Sequence, residues 1–271
     1  AYDSKRVPPY YYVGPYHELL KGNPSIGLVD QESDLSDNII RRYPIFYKIN
    51  NDPKLYLSLA VQTLLSYKNI TDYNITQDVE NSILSFNDFN ISTYSQEASF
   101  LINYYGPSSN NYQTFDTFSL SNIIDTYDYT IIEEDDDWMD KYINKNHDLY
   151  PVFGDKKNPF KNKIVIIGSS LAEDNDFVAT PYFNYRNSEN PMPGVEVHAN
   201  AIQQLVHSDF IQVPTSTLSY SSRSSLFHII IIAFFVLLTM YISNINSLIF
   251  SISLNLFSII AWFSISIGFF I

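Results

Sequence analysis

Ser169 and Ser170 follow an apolar run that ends in Gly168, the kind of strand end where a serine nucleophile can be presented. A nucleophile elbow needs glycine two residues to either side of the serine, and the downstream position here is Leu171 or Ala172. His198 and Asp176 would complete a triad only through the tertiary fold, so the segment reads as a polar strand-to-loop turn. A single glycine at 168 is also too little for a phosphate loop, which needs several glycines to let backbone amides converge on an anion. Three acidic groupings could offer oxygens to calcium: Asp30, Glu32, Asp34 and Asp37; Glu133–Asp137; and Glu173, Asp174 and Asp176. None carries the alternating ligands, central glycine and distal glutamate of an EF-hand loop, and all three read as solvated acidic loops. The five histidines have no HxxH or HExxH spacing, and with no cysteine in the chain no metal site is expected. No cofactor is implied.

The elements that must hold these residues follow from periodicity. Ser25–Asp30 and Ile39–Ile49 read as two short strands joined by a polar turn, a hairpin. Leu55–Leu65 has Leu57, Val61, Leu64 and Leu65 at helical spacing. Asn69–Tyr94 is polar and ambiguous. Ser99–Tyr104 reads as a buried strand ended by Gly106-Pro107, Ser108–Gln113 as a loop, and Ser121–Asp125 as the start of a short helix. Lys163–Gly168 is the strongest expected strand, β-branched and uninterrupted as in a central strand covered on both faces. Val195–Val206 follows as a helix, with Val195, Ala199, Ile202, Leu205 and Val206 on one stripe. Strands and helices interleave, so the expected fold is α/β, a mixed sheet with a central buried strand flanked by helices.

Composition narrows the partners. The net charge is −13 and the lysines and arginines are scattered, which excludes a nucleic-acid footprint and disfavours an anionic lipid surface. The 22 Tyr and 19 Phe suggest an aromatic binding surface less than they suggest an AT-rich coding sequence. Ser224–Ile271 contains no Asp, Glu, Lys or Arg. Its two apolar runs, Leu226–Ile242 and Leu248–Ile271, flank the polar turn Ser243–Ser247, and a bilayer core takes about 20 apolar residues to cross. The expectation is a transmembrane hairpin, with spans at 225–243 and 247–271 and a polar domain at 1–222. Ala1–Val13 has neither the apolar core nor the cleavage site of a signal peptide, and both ends read as cut.

The order of segments carries a resemblance. Lys163–Gly168, then Asp176-Phe-Val-Ala-Thr180-Pro181, then Pro193-Gly194-Val195-Glu196-Val197-His198-Ala199-Asn200 resembles the CHASE type 2 domain, a sensory extracellular domain associated with cyclases and histidine kinases. Ile26–Asp30 with its acidic turn and Arg41-Arg42, and Ile102-Asn103-Tyr104 with Gly106-Pro107, extend the similarity over about 26–210. The resemblance implies an extracytoplasmic input domain of a bacterial membrane receptor. Family members usually begin with an upstream membrane anchor and a first α/β portion, which are not read here, and many have three following helices and then a kinase or cyclase output, where this chain shows two apolar runs and no output. With the sensor outside, Ser243–Ser247 would be cytoplasmic. That turn has no Lys or Arg to test the orientation, and Arg223 weighs mildly against it. The family supplies no ligand set. Asp176, Thr180, His198 and Asn200 are the residues that could form one polar ligand-binding cluster, since open α/β sheets bind ligands near strand ends and helix starts.

The implied partners are the lipid bilayer, an unidentified small-molecule or protein stimulus, a downstream kinase or cyclase domain in the same polypeptide, and a second copy of the chain. A multi-pass membrane protein with residues 1–222 outside follows. Two other readings stand beside it: a tethered adhesion or scaffolding domain, and a serine hydrolase using Ser169 or Ser170 with His198. The last requires a Ser–His hydrogen bond near ~3 Å.

Overall fold

The computed structural model describes residues 17–22, 24–48, 54–78, 82–87, 89–94, 98–131, 137–211, 233–242, 252–254, 256–258 and 260. The chain divides into two compact units, Ala1–Gln212 and Val213–Ile271. In the second, residues 233–242 and short pieces between 252 and 260 are helical. Among the described residues no helix is long and apolar enough to cross a membrane. Most of the two expected spans lies outside the described residues, as does most of the acidic run 133–137.

The first unit is α/β, built from small antiparallel sheets and six helices among the described residues, and not from one mixed sheet. After α1 (His17–Leu20) come β1 (Arg42–Pro44), β2 (Phe46–Lys48), β3 (Leu55–Leu57) and α2 (Leu59–Tyr67). Then β4 (Ile75–Asp78), β5 (Ile83–Phe86), β6 (Phe89–Ser92) and β7 (Ser99–Leu101) precede three short helices, α3 (Ser109–Tyr112), α4 (Leu120–Ile124) and α5 (Asp140–Ile143). The last elements are β8 (Phe177–Val178), β9 (Met192–Pro193) and α6 (Gly194–His207).

Pro44 has no N–H to give a ladder. Up to it, β1 pairs with β7, with Tyr43 opposite Phe100. Beyond it, Ile45 donates its N–H to Ala98 (2.8 Å), and β2 then pairs with β3, Tyr47 opposite Tyr56. The expected hairpin between 25–30 and 39–49 is therefore replaced. Leu28 instead lies parallel to Ser58, donating its N–H to Leu57 (2.9 Å) and accepting from Leu59 (2.8 Å). Ile39 lies parallel to Ala179.

The Asn-rich stretch left unassigned forms a three-stranded meander, β4-β5-β6. Phe86 pairs with Phe89, and Asn87 after β5 adopts a positive φ of 52°, as tight hairpin connections require. Ser109–Tyr112, expected as loop, makes one helical turn. A satellite aromatic cluster joins Phe118, Trp138 and Phe160, with ring centroids 5.0 Å apart for Phe118 and Phe160, and Lys141 lies over the Trp138 ring at 5.2 Å.

The core lies between α2 and α6, which pack on each other, and the inner faces of the small sheets. Ala60, Val61, Leu64 and Leu65 of α2 meet Val197, Ala201, Ile202 and Leu205 of α6 in one buried cluster with Tyr43, Phe86 and Phe100. Residues 163–168 correct the sequence reading. They form no ladder; Ile164 and Ile166 face the core while Val165 and Ile167 are 50% and 74% exposed. Hydrophobic pattern reports which faces seek cover, and it supplies no neighbouring strand at the edges.

The seat of Leu28 depends on Gly27. A Cβ there would stand 2.5 Å from Leu59 Cα and 2.9 Å from Leu59 N, backbone atoms that cannot rotate away. Gly27→Ala is expected to destabilise the fold by about 1–3 kcal/mol, read as a lower thermal midpoint of the purified chain. An unchanged midpoint would mean that residues 26–28 are not seated on the start of α2.

Candidate functional site

The site is organised around α6, which uses its sides for different tasks. Glu196, Asn200 and Gln204 are spaced four apart and so share one face of the helix. All three are buried, Asn200 and Gln204 completely. A buried polar group without a partner costs about 1–3 kcal/mol, so each must find one, and the backbone of residues 101–109 supplies it. Gln204 Oε1 accepts from Asn103 N–H (2.8 Å) while its Nε2 donates to Leu101 C=O (2.8 Å). Asn200 Oδ1 accepts from Tyr105 N–H (3.0 Å) and its Nδ2 donates to Glu196 C=O (2.9 Å). The Glu196 carboxylate accepts from Ser109 N–H (2.9 and 3.0 Å) and from Ser109 Oγ (2.7 Å). In this way three side chains take the role that a neighbouring strand would play.

His198 leaves the helix toward other partners. Its Nδ1 is 2.6 Å from the Tyr43 hydroxyl, the two rings meet edge to face, and Gln31 Nε2 lies 3.2 Å from both ring nitrogens. The Tyr43 hydroxyl can donate to Nδ1 or accept from it, so the neutral ring is satisfied in either tautomer. Protonating both nitrogens would turn the whole ring edge into donors facing the Gln31 amide donor. Burial acts in the same sense and lowers the imidazole pKa to about 4. Burial also raises the Tyr43 phenol above its ordinary range. For Glu196 burial raises the carboxyl pKa, opposed by the hydrogen bonds from Ser109 and Ser108.

At the start of α6, β8 and β9 pair with Phe177 opposite Pro193, and Gly194 donates its N–H to Asp176 C=O (2.8 Å). A Cβ on Gly194 would stand 2.5 Å from Asp176 Oδ1, so glycine is what admits the carboxylate to the helix start. Asp176 is exposed, whereas Thr180 is fully buried. The Thr180 hydroxyl accepts from Tyr182 N–H (3.3 Å) and its carbonyl from Phe183 N–H (2.8 Å). Next to it, Ala179 C=O receives Ile40 N–H (2.9 Å).

Of the four expected site residues, then, His198 and Asn200 share a helix but reach separate partners, Thr180 braces the connection, and Asp176 stands at the helix start. Among the described residues no hydrogen bond joins any two of them. Sequence reasoning missed Gln31, Tyr43, Glu196, Gln204 and Ser109 as partners. The signal was present in the i, i+4, i+8 spacing of Glu196, Asn200 and Gln204 on an otherwise apolar helix. The hydrolase geometry is not found: His198 faces Tyr43 and Gln31, and Ser169 Oγ accepts from Leu171 N–H (3.1 Å). Nor does the 30–37 turn leave Asp34 and Asp37 free for calcium. Asp34 pairs with Arg42 and with Arg41 (2.7 Å), Asp37 with Arg41 (2.6 Å), and no group of three metal-ligating side chains occurs among the described residues. Hydrogen bonds from Arg42 and Arg41 hold the Asp34 carboxyl below the usual carboxylate range.

Gln204→Leu would leave Asn103 N–H and Leu101 C=O buried without partners and should destabilise the chain by about 2–4 kcal/mol. Chemical denaturation reads this as a lower midpoint, and a midpoint like that of the parent would refute the side-chain ladder. His198 gives a pH dependence of known sign. Its folded pKa, about 4, lies below the unfolded value near ~6.5, so its contribution is complete above ~6.5 and is lost as pH falls toward about 4. The full loss is on the order of 3 kcal/mol. Glu196 acts oppositely, because a raised carboxyl pKa favours folding as pH falls. The test is therefore a difference: between pH 7 and pH 4.5 the parent should lose more stability than His198→Gln, and parallel curves would contradict the neutral imidazole.

The family model of the CHASE2 domain matches residues 4–240. No curated protein and no solved structure matches the chain. The match takes in every element described above from α1 to α6, including the Pro193–Asn200 string that starts α6 and provides its polar contacts. With the match covering most of its length, this chain belongs to the CHASE2 domain family.

Proposed function

We propose that the chain is the extracytoplasmic input part of a membrane signalling receptor, which senses a stimulus outside and passes it through helices in the bilayer to a kinase or cyclase domain. The CHASE2 domain is a sensory extracellular domain of signalling receptors. One observation supports transmission: α6, the last element of the first unit among the described residues, is bonded on one side to residues 101–109 and on another to Tyr43 and Gln31, and the chain then runs into a stretch without Asp, Glu, Lys or Arg. A stimulus that changed either set of contacts would change the seating of the helix leading to that stretch. Sensing of this kind needs only that the ligand favour one of two packings over the other.

Within this proposal the stimulus acts near the start of α6, where Asp176 is open to solvent and His198 lies one turn on. Thr180 and Asn200 would hold the surrounding backbone. If Asp176→Ala and His198→Gln both signalled like the parent receptor while remaining folded, this assignment would be abandoned.

Topology gives the direct test. The chain has no cysteine, so Tyr127→Cys, at a position 77% exposed, introduces a unique thiol. In spheroplasts of cells expressing the chain, a membrane-impermeant maleimide should label it without lysis, and the chain should fractionate with membranes. Labelling only after the membrane is broken would overturn the proposal.

A further inference from the structure

Residues 164–168 combine two properties that a finished fold seldom leaves together. Their side chains alternate between core and solvent: Ile164 and Ile166 pack inward, and Val165 and Ile167 point out, 50% and 74% exposed. Their backbone N–H and C=O groups make no hydrogen bond among the described residues. Backbone groups of a half-buried segment are normally paired, and an apolar, β-branched edge with open groups is a template for another strand. The charges around it indicate which strand. Lys157, Lys161 and Lys163 lead into the segment, and Glu173, Asp174 and Asp176 follow it, all exposed. The segment therefore runs from a basic end to an acidic end.

We infer that residues 164–168 are the dimer interface of this chain, pairing antiparallel with the same segment of a second copy about a two-fold axis. An antiparallel neighbour lays the basic end of each copy beside the acidic end of the other, twice over. Parallel pairing would put like charges together at both ends. In a protein of net charge −13, self-association needs such a local match to overcome the general repulsion. Side-chain parity limits the register, since opposite residues must point to the same face. An axis through Ile166 sets Val165 against Ile167 of the partner copy on the outer face and brings no lysine opposite a lysine. The interface is isologous, so it closes at two copies and does not propagate. This pairing does not depend on the sensory reading, and a dimer could be found or lost whatever the topology test gives.

The test uses the full chain in detergent or lipid nanodiscs, with light scattering and sedimentation to read its mass. The parent should be a dimer, and Ile167→Lys should raise the dissociation constant at least about tenfold by putting a charge on the apolar outer face. Because that variant could also disturb the fold, a charge exchange on exposed residues provides the second arm. Copies with Lys161→Glu and Lys163→Glu should dimerise poorly with themselves, as should copies with Glu173→Lys and Asp174→Lys, and a mixture of the two should recover the dimer. Register is read separately: Val165→Cys copies should form a disulfide with Ile167→Cys copies more readily than either does with itself. A monomeric parent, or a dimer indifferent to both Ile167→Lys and the charge exchange, overturns the inference.

Discussion

The fold depends on α6 substituting for a missing strand. Residues 101–109 run beside it with backbone groups that cannot be left unpaired in the interior, and Gln204, Asn200 and Glu196 meet them at successive turns of the helix. Side-chain amides suit this, because each offers a donor and an acceptor together. The apolar contacts of Val197, Ala201 and Leu205 with α2 provide the burial, but they would tolerate a helix slid or rotated by a few degrees. The polar contacts would not. Packing makes the core, and the amide and carboxylate contacts define how α6 sits in it.

On the other side of the helix, His198 joins α6 to Tyr43 of β1 and to Gln31 in the turn before it. Thus one element of fourteen residues ties together the start, the middle and the end of the first unit. Arg41 and Arg42 brace the same turn through Asp34 and Asp37, mostly near the surface, where ion pairs contribute little to stability. Their role is to shape the turn that carries Gln31.

How much of this the sequence disclosed varied with the kind of interaction. The α6 helix and the burial of residues 99–104 were legible because periodicity and apolar runs report one-dimensional facts. The apolar stripe on α6 was read slightly off: Val195, Ala199 and Val206 are only half-buried, while Val197 and Ala201 are buried. The helix is polar on part of its buried face, which moves the apparent apolar centre. The meander at 75–92 was missed although Asn87-Asp88 is a turn signal, because the polar residues around it hid the alternation of Leu84, Phe86, Phe89 and Ile91. Strand partners were illegible wherever pairing was non-local: Leu28 with Ser58 and Ile39 with Ala179 have no counterpart in local pattern. The four expected site residues were each placed near a strand end or a helix start, but the choice of residue was not enough to tell which would meet. That depended on side-chain direction around α6, and a difference of two positions, from 198 to 200, sends a side chain to an entirely different partner.

The long separations spanned by α6 also bear on how the domain is made. The bond from Gln31 to His198 closes 167 residues, and those from Asn103 and Tyr105 to α6 close 101 and 95. Contacts of such length arrive late and slow folding, since chain entropy must be lost before they form. During synthesis, residues 101–109 emerge well before the helix whose side chains they bond, and in the interval Leu101 C=O and the N–H groups of Asn103, Tyr105 and Ser109 lack the partners that α6 gives them. A chain interrupted before Gly194 would stay in that state, with the edge-to-edge aggregation risk it carries. Completion of the domain thus coincides with the emergence of α6, which works as a late lock on assembly as well as a structural strut.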